Sequence, residues 1–290
     1  MFAPSTFSIV AADPLTGEIG VAVQSKFLSV GAVVPFVSVN GAIATQAFAN
    51  TAYGPQALAM LARGDGPDAI LAALLRDDAG RDDRQVGIVA RDGRSATFTG
   101  ARCIDAAAGV RGDAFAAQGN CLAGTDVVDA LAATFRSERG HLADRLIAAL
   151  RAAQARGGDK RGQQSAALVI DKPGGGYAGF NDRYVDLRVD DHPAPIEELA
   201  RLLELHKLYF FAPDDADVLA IDATLGAELT SELVRVGALT APRSSFDDEA
   251  KAALVSFMHV ENLENRVRTD GRIDRQTLAH LRAAPASARA

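Results

Sequence analysis

Apolar and polar residues alternate along residues 6–12 (TFSIVAA) and 18–24 (EIGVAVQ), and Asp13-Pro14-Leu15-Thr16-Gly17 lies between the two runs. The alternation and the Pro and Gly of the connection predict a hairpin at the start of the chain. Strand-like patterning continues over 32–39 and 42–46. After Tyr53-Gly54-Pro55 the spacing lengthens: Leu58, Leu61, Ile70, Leu71, Leu74 and Leu75 recur at helical intervals, so two helices are expected. Runs 85–90 and 95–99 predict a second hairpin, turning at Arg91-Asp92-Gly93-Arg94, where Asp-Gly favours a tight reversal. A strand over 114–118, helices near 125–136 and 141–156, strands over 165–170 and 183–189 and a helix over 196–208 complete this part.

Strands, two helices, strands, two helices and strands again imply an α+β chain. Two antiparallel sheets stacked face to face, each covered outside by a helix pair, bury every apolar face of such a set. The expected fold is therefore a four-layer αββα sandwich. Beyond Phe211, Ala212-Pro213-Asp214-Asp215 reads as a linker, and 218–236, 246–260 and 273–281 show only helical periodicity. Two domains are expected, 1–211 and a small all-α module over 212–290.

Composition narrows the functional classes. The 290 residues are 48% hydrophobic, enough for one large core and a smaller one. No stretch approaches the roughly 18 uncharged apolar residues of a membrane span, and Met1-Phe2-Ala3-Pro4-Ser5 carries no basic leader, so a cytoplasmic protein with no membrane partner is expected. A net charge of −7 argues against nucleic acid, whose binding needs clustered Lys and Arg, and favours small molecules or peptides. Cys103 and Cys121 fit no metal spacing and read as a reduced, buried pair. His192 has no second His at ligand spacing, and no Walker or dinucleotide fingerprint occurs; Gly174-Gly175-Gly176 reads as a hairpin tip. No metal or cofactor is expected.

Candidate chemistry gathers at strand ends. A Thr hydroxyl at the start of a strand becomes a nucleophile when a neighbouring base takes its proton, and a free α-amine on the same residue, titrating near ~8, is such a base. Thr6 holds that position; its other reading is a plain β-branched strand residue. The hairpin brings Ser25 and Lys26 back beside Thr6, where Ser25 can hydrogen-bond the amine and the Lys26 charge can tune it. Both also read as a capping hydroxyl and a solvated charge. Thr45, Gln46 and Asn50 close one strand, and Gln118-Gly119-Asn120 follows another; amides there either donate to an oxyanion or satisfy their own turns. The polar stretch from Gly157 to Ser165 reads as a loop carrying Asp159, Arg161, Gln164 and Ser165 to a strand edge as substrate-binding candidates. Asn181 and Arg183 are further candidates, with Arg183 also readable as an ion pair to Asp182 or Asp186.

Taken together, Thr6-Phe7-Ser8-Ile9-Val10-Ala11, Gly20-Val21-Ala22-Val23-Gln24-Ser25-Lys26-Phe27, Ala44-Thr45-Gln46-Ala47, Tyr53-Gly54-Pro55, Gln118-Gly119-Asn120, Arg161-Gly162-Gln163-Gln164-Ser165 and Phe180-Asn181-Asp182-Arg183-Tyr184 resemble the bacterial family known as domain of unknown function 1028, over roughly residues 5–211. That family is placed in the N-terminal-nucleophile (Ntn) hydrolase superfamily. Phe246-Asp247-Asp248-Glu249-Ala250-Lys251 and Gly271-Arg272-Ile273-Asp274 resemble a peptidoglycan-binding-like module often attached to it. The resemblance implies an amidohydrolase acting on a small amide, ureido or peptide-like substrate, with Thr6 as nucleophile, Ser25 and Lys26 tuning its amine, and Asn120 or Gln46 at the oxyanion. It also implies association into a homodimer. Gln24 stands where related segments carry an acid, and an α-amine on Thr6 requires removal of residues 1–5. An alternative on the same fold is a catalytically silent binding protein for a small amide, peptide or glycan.

Overall fold

The computed structural model describes residues 6–287. Two compact units divide the chain between Leu203 and Glu204.

In the first unit, β1 (Thr6–Asp13) and β2 (Glu18–Ser25) form the expected hairpin with Thr6 opposite Ser25. Its turn is fixed by Asp13, whose Oδ1 accepts from the backbone of Leu15 at 3.0 Å, and by Gly17 at φ 76°, a left-handed conformation that costs glycine little. Next come β3 (Pro35–Ser38), β4 (Gly41–Ala47), α1 (Tyr53–Ala62), α2 (Pro67–Arg76), β5 (Arg84–Ala90) and β6 (Ser95–Thr99). They are followed by β7 (Ala108–Gly112), β8 (Phe115–Gly119), α3 (Asp126–Ser137), α4 (Leu142–Ala155), β9 (Ser165–Asp171), β10 (Arg183–Val189) and the first part of α5 (Pro195–Phe210), within which the division falls. The strands make a six-stranded sheet in the order β10-β9-β2-β1-β8-β7 and a four-stranded sheet in the order β3-β4-β5-β6, antiparallel throughout.

Alternation decides which side chains meet. Val10 and Ala12 of β1 and Ile19, Val21 and Val23 of β2 share one face of the larger sheet and pack with Val37, Ala42, Ala44 and Val89 of the smaller sheet in one buried cluster. The opposite face of the smaller sheet, Ile43, Val86 and Ile88, packs against Tyr53, Ala57 and Leu61 of α1 and Ile70 and Leu74 of α2. On the larger sheet, Phe115 of β8 meets Phe135 of α3 with ring centroids 5.3 Å apart. Burying an apolar side chain of this size stabilises by about 1.5–3 kcal/mol, so these contacts dominate the energetics.

The second unit contains α6 (Ala223–Arg235), α7 (Asp248–Val260) and α8 (Arg275–Ala283) around Leu229, Leu233, Leu254, Phe257 and Leu281. It is not all-α as the periodicity predicts: β11 (Val218–Ala220) and β12 (Arg272–Asp274) pair antiparallel, and α6 begins only after β11. β7 is likewise absent from the sequence reading. Among the described residues no helix is long and apolar enough to cross a membrane.

Candidate active site

Thr6 opens β1 with its side chain on the face turned toward the smaller sheet, and it is fully buried. Its Oγ1 donates to Ser25 Oγ at 3.1 Å, as the β1–β2 register requires. Its carbonyl oxygen accepts from the backbone N–H of Asn120 at 3.0 Å and from Gln46 Nε2 at 3.3 Å. Strand ends from both sheets therefore converge on one residue.

Around it lies a buried network of amides and hydroxyls. Gln118 Nε2 donates to Ser8 Oγ and Ser8 Oγ to Gln46 Oε1, both at 2.6 Å. Gln85 is the hub. Its Oε1 accepts from Gln46 Nε2 at 2.8 Å and from Asn120 Nδ2 at 3.0 Å, while its Nε2 donates to Thr99 Oγ1, Ala108 O and Gly119 O. Gly87 makes room for the Gln118 side chain: a Cβ there would lie 2.1 Å from Gln118 Oε1. Ser8 and Gln85 escape the sequence reading, because a polar residue in an alternating strand reads as solvent-facing until a second sheet covers it.

Ala47 and Cys121, which follow Gln46 and Asn120 directly, hold φ of 62° and 54°. Non-glycine residues are held there only when their surroundings over-determine them, and such positions cluster at functional sites. Ala47, and Asn120 just before Cys121, line a cavity of about 300 Å³ together with Phe48, Asp83, Arg102, Cys103 and Ile104. Arg102 grips Asp83 through Nε at 2.9 Å and Nη2 at 2.7 Å, and these hydrogen bonds hold the Asp83 carboxyl below its ordinary range. Cys103 is half-buried rather than fully buried; burial pushes its thiol pKa up, and it donates to Arg84 O at 3.3 Å.

Other sequence candidates distribute themselves unevenly. Lys26 is exposed, its backbone N–H donating to Asp159 Oδ2 at 3.0 Å and its Nζ to Gln163 O at 3.3 Å. The ammonium is thus directed to the loop and not to Thr6. The Gln46 and Asn120 side-chain donors are engaged with Gln85, so it is the Asn120 backbone N–H that joins Gln46 at Thr6. Asp159, buried, pairs with Arg161 at 2.7 Å and anchors the loop to β2; Ser165 donates to Phe27 O and accepts from Val30 N, holding the chain just after Ser25. Gln164 N donates to Ser25 O at 3.1 Å, while its side chain reaches Asp191. Thr45 lies on the helix-facing side of β4 and donates to Asn50 O, and Asn50 caps its own turn at Ala52 N.

Asn181 and Arg183 are not at this site. Arg183 pairs across β9 with Asp171, which pairs with Ile19 at the far end of β2 from Ser25. Six residue-to-residue steps of strand separate the two ends, about 20 Å at 3.3 Å per step. Asn181 Oδ1 accepts from Arg183 N, and Arg183 Nε lies 3.1 Å from Asp171 Oδ1 instead of binding Asp182 or Asp186. His192 Nδ1 accepts from Ala194 N, and among the described residues no group of three or more His, Cys, Asp or Glu side chains is placed to hold a metal ion. Residues 1–5, whose removal an α-amine mechanism requires, lie outside the described residues.

Comparison with known proteins follows the two units. A family model described as "Family of unknown function (DUF1028)" matches residues 6–199, and one described as "Putative peptidoglycan binding domain" matches residues 209–281. Among solved structures, the crystal structure of protein SPO2555 from Silicibacter pomeroyi, carrying the same DUF1028 model, is similar at 32% identity and a TM-score of 0.64, covering 71% of this chain and 91% of that one. No curated protein matches.

Proposed function

We propose, on the premise that this chain belongs to the DUF1028 family, that its first unit is an amide-bond hydrolase of the N-terminal-nucleophile type. In this reading the helix pairs and stacked sheets form an αββα Ntn sandwich. Cleavage before Thr6 frees its α-amine, which takes the Oγ1 proton as Oγ1 attacks the substrate carbonyl; backbone N–H groups at the strand ends hold the oxyanion. The proton passes to the leaving amine as the C–N bond breaks, and water then hydrolyses the threonine ester. Ser25 orients the hydroxyl, and the Asn120–Gln46–Gln85 network fixes the backbone of Thr6. The observation that carries this reading is the buried Thr6 hydroxyl, 3.1 Å from Ser25, at a strand end held by Gln46 and by Asn120, which also lines the cavity. A volume of about 300 Å³ is at the lower end for ligand sites and suits a small amide, ureido or peptide-like substrate.

Intact mass and N-terminal sequencing of freshly expressed protein and of Thr6→Ala test it. We expect the native chain to begin at Thr6 and to hydrolyse small amides, and the variant to keep its leading residues and be inactive. Native protein that retains residues 1–5 and still turns over amides rules the α-amine mechanism out. A second reading, a binding protein on the same scaffold, draws support from the Lys26 ammonium being directed to Gln163 O and from the engaged amides. Ligand retention by an unprocessed, inactive chain favours it.

A further inference from the structure

β10 ends the six-stranded sheet: β9 lies along one side of it and, among the described residues, no strand along the other. Alternation fixes where its backbone groups point. Lys172 N donates to Asp182 O, so every second residue of β9 going back along the strand, Ile170, Leu168 and Ala166, turns its hydrogen bonds toward β10, where Val185, Leu187 and Val189 stand opposite. Asp186 and Arg188 therefore direct their N–H and C=O groups outward, away from β9. This open stretch is bounded at both ends. A bulge lies between Arg183 and Val185, and beyond Val189 the carbonyl of Asp190 accepts from Ser29 N at 3.0 Å. The regular free edge is thus residues 185–189, with Leu187 at its centre.

Side chains along the edge complement a copy of themselves. Asp186 and Arg188 are exposed on one face of the strand, and Arg188 donates to Asp186 through Nε at 2.8 Å and Nη2 at 3.1 Å. When two such edges run antiparallel about a twofold axis at Leu187, Asp186 of each stands opposite Arg188 of the other, Leu187 opposite Leu187 and Val185 opposite Val189. The Asp186 and Arg188 positions are also those whose backbone groups point outward, so main-chain hydrogen bonds form at both pairs. Centring the axis on Asp186 or on Arg188 keeps those groups facing but sets like charges opposite, which is unfavourable. Tyr177 and Phe180, in the turn that leads into β10, are exposed by 77% and 87% and add apolar surface at one end of the edge. We propose that β10 is the contact through which the six-stranded sheet joins that of a second copy of this chain, edge to edge, with Leu187 on the twofold axis. The proposal does not depend on the hydrolase reading.

Sedimentation velocity of the full-length chain tests it. At about 100 µM, a concentration at which even a small interface associates, the wild type is expected to sediment as a dimer. Asp186→Arg and Arg188→Asp each place like charges across the axis, and each is expected to weaken self-association at least about tenfold. Mixed together, the two variants present opposite charges at both pairs, so the mixture is expected to dimerise as the wild type does. A misfolded chain would not recover in this way, which separates loss of the contact from loss of the fold. A wild type that sediments as a monomer, single variants that associate as tightly as the wild type, or a mixture that stays dissociated overturns the proposal.

Discussion

Asp171 is the buried carboxylate whose surroundings suit it least. Burial lifts its pKa to about 6, even though Arg183 Nε lies 3.1 Å away, because that approach lacks hydrogen-bond alignment. A folded-state pKa above the unfolded value near 3.8 means that ionisation opposes folding. The penalty is absent below about pH 4, grows as pH rises and is complete above about pH 6. At about 1.4 kcal/mol per pKa unit it reaches at most about 3 kcal/mol. Asp171→Asn is therefore expected to raise the melting temperature at pH 7.5, with the gain shrinking to nothing by pH 4; a gain independent of pH would contradict the assignment. Gln85 shows the opposite outcome for a buried polar group, every amide hydrogen bond finding a partner where an unmet one costs about 1–3 kcal/mol. Thr6, Gln46 and Asn120 are legible in the sequence because they stand at strand ends. Gln85 and the Asp83–Arg102 wall are not, since their roles depend on which chain segment lies opposite.

Short elements escape sequence reading for the same reason that they need partners. β7 reads AGVRG, with glycines that strands ordinarily avoid, and exists because β8 supplies its hydrogen bonds. β11 adds apolar residues directly before α6, so periodicity merges the two, although Asp222 marks the true start by accepting from Leu225 N at 2.8 Å. Asp247 and Asp274 cap α7 and α8 in the same way. Asp274 also meets the buried Arg266 at 2.7 Å, tying the start of α8 to the end of α5. Arg266→Met is expected to cost about 3–5 kcal/mol by leaving that carboxylate buried without its partner, seen as a lowered melting temperature. Arg266→Lys should recover little, because one ammonium cannot span the same acceptors. A methionine variant that melts with the wild type would show that the pair adds no net stability.

At the scale of the molecule, the order of strand and helix runs is enough to predict two sheets with helices outside them, since few other arrangements bury so many apolar faces. The two compact units divide inside α5, a continuous helix over Pro195–Phe210 where periodicity offers no break. Distance is the other thing that sequence conceals, and Asn181 and Arg183 sit at the end of the sheet away from Thr6 for that reason.

The sheets of the first unit adhere differently along their length. Near Thr6 they are joined by directional bonds among Ser8, Gln46, Gln85 and Gln118; farther along, by valines and alanines that slide at small cost. Mechanically this is a book with its spine at the amide end. Its pages are expected to part first at the valine end, so in native-state hydrogen exchange the backbone amides of Ile19 and Val89 should open at lower free energy than those of Gln46 and Gln118. Uniform protection would show that the sheets separate only by global unfolding. With the spine beside Thr6, breathing of the sandwich leaves the geometry around that residue undisturbed.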